Sequence, residues 1–213
     1  VSTHLVIGGR GRTGRGIVRG LLDAGSEVAV GSRSGDGAGP GVPGVAVDVA
    51  AADWPTVLDG VRGVAVSVEP PYDAAGAERV MHEGIAALAR AAAAAQVRVV
   101  LVSQIYITRP EAYPAMAAVT RARGRGEQAL RESGAGYAVV RPGWLTDEPL
   151  SGVRLEQGDT GDGRVSRTAV AEACTRLLLA EDTPPATFEI FDAPGPPDVD
   201  WPGLLAGLVP DPR

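Results

Sequence analysis

The 213 residues carry 20 Lys and Arg against 26 Asp and Glu, a net charge of −6 that speaks against nucleic acid or an acidic membrane surface as a partner. The length suits one α/β domain, 1–213, able to bury roughly 70% of its unfolded surface. Cys174 stands alone, so no internal disulfide can form, and two distant histidines with one cysteine cannot build a typical zinc site, so no metal is expected.

The chain begins with an apolar run, Leu5-Val6-Ile7, that reads as a strand. Gly8, Gly11 and Gly14 follow at once, and a helix with Ile17, Val18, Leu21 and Leu22 on one face comes next. A G-x-x-G-x-x-G turn between strand and helix is a nucleotide-binding signal. Gly8 allows a sharp turn, Gly11 a close backbone approach to a pyrophosphate, and Gly14 tight helix–strand packing, while the helix N-terminus leaves free N–H groups for the anion. Arg10, Arg12 and Thr13 stand inside the turn and are expected to touch the same nucleotide. The second strand, Glu27 to Val30, leads into Gly31-Ser32-Arg33-Ser34, about 20 residues beyond the last motif glycine, where Rossmann chains choose between cofactors. A carboxylate there would hold ribose hydroxyls and repel a 2′-phosphate. Arg33, with Ser32, instead favours NADP over NAD, because a guanidinium makes charge-assisted bonds to that phosphate.

Ser34 to Gly44 is rich in Gly and Pro and too poor in apolar residues to pack, so it reads as a mobile loop. Val45 to Asp48 reads as a third strand, Trp54 to Leu58 as a short helix and Gly63 to Val68 as a fourth strand. Glu69-Pro70-Pro71 ends that strand at the sheet edge where ligands bind. A long crossover helix runs from about Ala74 to Ala95, with Met81, Ile85, Leu88 and Ala92 on one face. Strand five, Arg98 to Val102, delivers Ser103, Gln104, Ile105 and Tyr106 to the same edge. Val119 to Glu132 is helical, Tyr137 to Val140 a sixth strand, and Arg141 to Leu145 its exit loop. Residues 146–165 lack periodicity and read as a flap or small cap. A helix from Arg167 to Ala180 places Cys174 on an apolar face as an inert core thiol, and Thr187 to Phe191 forms a last strand. The proline-rich tail from Pro194 reads as partly disordered or docked elsewhere. The expected architecture is therefore a single doubly wound Rossmann sheet, mostly parallel, with a small C-terminal substrate-side cap. The substrate-side elements are 104–120, 142–166 and 192–213.

Four stretches in this order resemble the NmrA-like, NAD(P)H-binding group of atypical short-chain dehydrogenase/reductases. They are Gly8 to Gly14; Arg33; Arg123-x-x-x-Glu127 with Ser133-Gly134 leading into Arg141-Pro142-Gly143; and Val165 to Ala171. The resemblance implies NADP(H) in a cleft at the strand C-termini. By that likeness Asp48 and Val49 bracket the adenine, Ser67 and Val68 follow the ribose and pyrophosphate, and Ser103, Arg123 and Pro142 complete the cofactor-binding set near the nicotinamide. A typical short-chain reductase supplies a tyrosine and, four residues on, a lysine that lowers its pKa. Here those places hold Val119 and Arg123. Valine has no proton to give and arginine keeps its charge.

Substitute catalytic groups are Ser103, Tyr106 and Tyr113, and Glu69, Tyr106, Trp144 and Leu145 are expected to line an apolar substrate pocket. His4 and His82 fall away from the site. The leading expectation is a cytoplasmic NADPH-dependent oxidoreductase, possible as a homodimer, for a small apolar or aromatic carbonyl, enone, quinone or flavin-like substrate. Two other readings are an NADP(H)-sensing regulatory protein and a non-redox cyclase, dehydratase or isomerase of secondary metabolism.

Overall fold

The computed structural model describes residues 3–180 and 183–212, so the ends of the expected 1–213 span lie outside the described residues. Strand β1 (Thr3–Ile7) runs into helix α1 (Arg12–Asp23), then β2 (Val28–Ser32), β3 (Gly44–Ala46), α2 (Trp54–Val57) and β4 (Val61–Val66). Helix α3 (Ala74–Ala77) passes through a π-helical segment, Glu78–Gly84, into α4 (Ile85–Ala95). Next come β5 (Arg98–Val102), α5 (Ala117–Glu132), β6 (Tyr137–Pro142), β7 (Trp144–Thr146), β8 (Gly152–Glu156), β9 (Arg164–Ser166), α6 (Arg167–Leu179), β10 (Ala186–Ala193) and α7 (Trp201–Ala206).

Eight strands form one sheet in the order β3-β2-β1-β4-β5-β6-β10-β8, and every neighbouring pair is parallel except β10 with β8. Val-rich strands such as β5 (RVVLV) are buried on both faces, which is why they read as continuous apolar runs. One layer packs α4 and the π-helical segment, through Met81, Ile85, Leu88 and Ala92, against Leu5, Val64, Val99 and Val139. The other packs α1 and α6, through Ile17, Leu21, Val170 and Cys174, against Val6, Ala65, Val100 and Val140. Burial pushes the Cys174 thiol up to about 12, as expected of a core cysteine. The chain leaves β1 toward β2 and β3 on one side and resumes at β4 on the other. The switch point therefore lies between β1 and β4, and the glycine turn stands at its C-terminal edge.

Two segments depart from the expectations, and the tail takes the docked alternative. Gly152–Glu156, placed in a flap, instead extends the main sheet as an antiparallel edge strand on β10, because its partner offers a free edge that composition cannot reveal. The 34–44 segment is anchored: Val42 is buried in the core, and Gly44 and Val45 pair with β2. The tail docks through Trp201, which is buried and donates from Nε1 to Glu172 at 2.8 Å. Among the described residues no helix is long and apolar enough to cross a membrane.

Candidate nucleotide site

The turn after β1 is built from backbone constraints. Gly8 has φ +80°, and a Cβ there would collide with the Ser67 carbonyl oxygen at the end of β4. A Cβ on Gly14 would strike the Gly8 carbonyl, so α1 and the turn touch backbone to backbone. Gly11 is different: its Cα faces open space, with the Gly8 oxygen at 3.2 Å as the single neighbour of an added Cβ. As the N-cap of the 12-residue helix α1 it brings no side-chain cap, so the first N–H groups stay free. No acidic residue occupies the first turn, which leaves the positive end of the helix uncompensated.

A cavity of about 670 Å³ opens over this turn, lined among others by Gly8, Gly11, Arg33, Asp48, Val49 and Ser67. Beside it lies an arginine-walled recess formed by Arg10, Arg15, Ser32, Arg33 and Ser34. Arg10 Nη1 reaches Asp36 Oδ2 at 2.7 Å, and the Ser34 hydroxyl donates to the same oxygen at 2.7 Å. Ser34 first, and then Arg10, hold the Asp36 carboxyl below its usual range.

A second cavity of about 390 Å³ continues toward β5, and Gly11, Ser67, Val68 and Glu69 line both. Its remaining walls include Arg12, Thr13, Tyr72, Ser103, Arg123, Leu145 and Arg167. Arg123 comes from α5 and is 6% exposed. Its Nη1 donates to the Val102 carbonyl at 3.3 Å and its Nη2 to the Val68 carbonyl at 3.4 Å, both long contacts, and the nearest carboxylate, Glu69, is 3.8 Å away. Burial pulls the guanidinium below its ordinary pKa. Its Nε and the Ser103 hydroxyl, 5% exposed, have no hydrogen-bond partner among the described residues. At the mouth, Asp147 accepts from both Arg12 and Arg167 at 2.8 Å.

Most of the residues expected to hold the cofactor therefore meet along one continuous groove. Gly14 packs beneath it. Pro142 lines neither cavity; it lies within β6, where its carbonyl accepts from Ile105 N at 3.3 Å. The expected substrate-side residues split. Leu145 faces the second cavity, whereas Tyr106, Tyr113 and Trp144 form an aromatic cluster of their own, with ring centroids 4.7 to 6.1 Å apart. Burial and a hydrogen bond with Tyr113 push the Tyr106 phenol well above its usual pKa. Tyr106 also holds φ +70°, fixed by the buried Asp159, whose carboxylate accepts from Tyr106 N and Thr108 N at 2.7 Å each. Val119 is buried in the core.

Sequence reasoning missed Arg15, Tyr72, Arg167 and Asp159. Arg15 and Arg167 carried a usable signal, lying one helical turn from Gly11 and inside the Val165 to Ala171 stretch. Asp159 carried none, because its partners are 51 and 53 residues away.

The NAD(P)H-binding family model matches residues 8–181. The chain belongs to this family. Among solved structures, one from Bacillus halodurans, named as an NAD-dependent epimerase/dehydratase, superposes with a TM-score of 0.80 at 20% identity, covering 92% of this chain and 96% of that one. A short-chain dehydrogenase/reductase from Veillonella parvula, in complex with NADP, gives a TM-score of 0.70 at 17% identity, with 90% and 94% covered. At these identities the likeness is one of fold. An uncharacterised chloroplastic protein of Arabidopsis thaliana is 34% identical over 89 residues, 41% of this chain and 32% of that protein, so the chain spans about a third of that curated relative. The family match thus sets an NAD(P)H-binding domain on the doubly wound sheet that carries the glycine turn.

Proposed function

We propose that this protein is an NADPH-dependent oxidoreductase for a small substrate with an apolar or aromatic body and a reducible carbonyl, enone, quinone or flavin-like group. The observation that carries this reading is the continuous groove running from Arg33, over the glycine turn, to Ser103 and Arg123. Its residues fit a dinucleotide. Gly11 leaves room for a pyrophosphate, and the free N–H groups of α1 point at it. Asp48 and Val49 flank an adenine, and Arg10, Arg15 and Arg33 receive a 2′-phosphate. The bound nucleotide supplies a hydride from its dihydronicotinamide.

The protein's own part is to position and to exclude. Leu145 and Val68 shield the reacting end, and Ser103 donates its hydroxyl hydrogen to a substrate oxygen. Val119 has no proton to offer, so water takes the role that a tyrosine–lysine pair would fill. The substrate-side elements on this reading are the 104–120 stretch and the turn around Leu145.

The test is NADPH oxidation, followed by absorbance, over a panel of ketones, enones, quinones and flavins, alongside direct titration with NADPH and NADH. Substrate-dependent oxidation with NADPH preferred is the expected result. Tight NADPH binding with no turnover across the panel would favour a sensing role instead.

A further inference from the structure

The second cavity holds a buried charge whose nearest carboxylate is 3.8 Å away. Arg123 is buried to 6% exposure, yet its closest protein contacts are two long bonds to carbonyl oxygens, and Nε has no partner among the described residues. Withdrawing a guanidinium from water without a counter-charge is costly. Glu69, 63% exposed at its side chain and 3.8 Å away, and the buried Glu127, already bound to Arg141, attract the guanidinium without accepting a hydrogen bond from it. A ribose hydroxyl could accept one hydrogen bond but would leave the charge uncompensated. A carboxylate accepts two parallel N–H bonds from the guanidinium fork and neutralises it.

The surroundings point the same way. Arg12 and Arg167 line the same cavity and share the single carboxylate of Asp147, so together with Arg123 three guanidiniums face two carboxylates, Asp147 and Glu69. The orphaned Ser103 hydroxyl follows directly on Val102, whose carbonyl Arg123 touches. A hydroxyl and a guanidinium side by side at the end of β5 are the donors that a molecule with two adjacent oxygen-bearing groups would satisfy together.

We propose that Arg123, with Ser103, forms a carboxylate-binding subsite at the inner end of the groove, so that the substrate is a small acid with an apolar body. This rests on the reading of the groove as a cofactor and substrate channel, and it assigns Arg123 to the substrate rather than to the nucleotide.

The probes are benzoate and benzamide, alike in size and ring and different in charge, titrated by calorimetry into the full chain with and without NADP. Benzoate should bind at least about tenfold more tightly than benzamide. Arg123→Gln should abolish that preference while changing NADP affinity by less than about threefold. Arg123→Lys, which keeps the charge and loses the fork, should retain part of the preference, and Ser103→Ala should weaken benzoate with a normal thermal midpoint. These two variants decide the matter should Arg123→Gln fail to fold. Equal binding of the two probes, or binding of neither, would overturn the proposal. So would an Arg123→Gln protein that loses NADP affinity and keeps the preference, because Arg123 would then be a nucleotide ligand. Preferential benzoate binding in a protein with no NADP affinity would uphold the subsite and sink the cofactor reading, so the two ideas fail separately.

Discussion

Arg141 donates from Nη2 to Glu127 Oε2 at 2.6 Å, joining β6 to α5 across a carboxylate with no exposed surface. Its Nη1 reaches a second buried carboxylate, Glu189 on β10, at 3.0 Å, and Glu189 also accepts from Asp159 N at 2.9 Å. The two carboxylates raise the Arg141 pKa further above neutrality against its own burial. The Arg123-x-x-x-Glu127 and Arg141-Pro142-Gly143 stretches thus meet in a structural tie at the sheet end, one turn of α5 away from Arg123. Removing Glu127 takes away the acceptor of Nε and Nη2 of the buried Arg141 and leaves Glu189 as its one close counter-charge. Glu127→Ala should lower the unfolding free energy by about 3–5 kcal/mol, read from urea denaturation. A loss below about 1 kcal/mol would mean that water or Glu189 alone satisfies Arg141.

The arginine recess predicts cofactor choice. Arg33→Ala should weaken NADP about tenfold and leave NAD nearly unchanged, and the effect should shrink as salt is raised. Asp36 supplies the opposite sign: its carboxylate already occupies Arg10, as a phosphate would. Asp36→Asn should therefore tighten NADP without helping NAD. Parallel titrations of both nucleotides with both variants check this, and an unchanged NADP-to-NAD ratio in Arg33→Ala would remove the basis for NADP preference.

His4 gives a pH prediction. It is 3% exposed, and burial lowers its pKa below the ordinary 6.5. At pH values between the folded and unfolded pKa, the unfolded chain carries the proton and the folded one does not. Stability is then complete above about pH 6.5 and declines as pH falls toward the lower folded value. His4→Leu removes that proton uptake. Its thermal midpoint should vary less than the wild type's from about pH 7 to 5, before most carboxylates titrate. Parallel curves for the two proteins would show that His4 accepts its proton without penalty.

What could be read before the structure follows from how local each signal is. Strand β5 and helix α6 are legible because their burial is written in their own residues, and the glycine turn because one β-turn-α unit contains all its parts. Strand β8 is not: all five residues are partly buried, a pattern that neither alternates nor runs continuously, and its pairing depends on β10 more than 30 residues on. The π-helical segment is invisible for the same reason. It fits where Gly126 of α5 presses on the Met81 carbonyl, a contact that no periodicity within residues 74–95 encodes. Arg123 enters the expected cofactor set through the family resemblance alone. Nothing in the run Arg121-Ala122-Arg123-Gly124-Arg125 signals its burial, which arises because α5 lies close against the π-helical segment and against the ends of β4 and β5.

Gly11 separates holding a nucleotide from holding the fold. An alanine Cβ at Gly11 meets just one neighbour, the Gly8 oxygen at 3.2 Å, and the residue's φ of −72° is one that alanine adopts readily. Gly8→Ala, by contrast, puts a Cβ at φ +80° into the Ser67 carbonyl and should destabilise the protein outright. Gly11→Ala should thus unfold within a few degrees of the wild type. Its methyl group would stand where a pyrophosphate must approach the backbone, so NADPH affinity should fall by about tenfold or more, measured by fluorescence titration. Because the same methyl leaves the arginine recess untouched, the NADP-to-NAD ratio should survive even as both affinities drop. A Gly11→Ala protein that binds NADPH as tightly as the wild type would place the pyrophosphate away from this helix N-terminus and undo the reading of the turn.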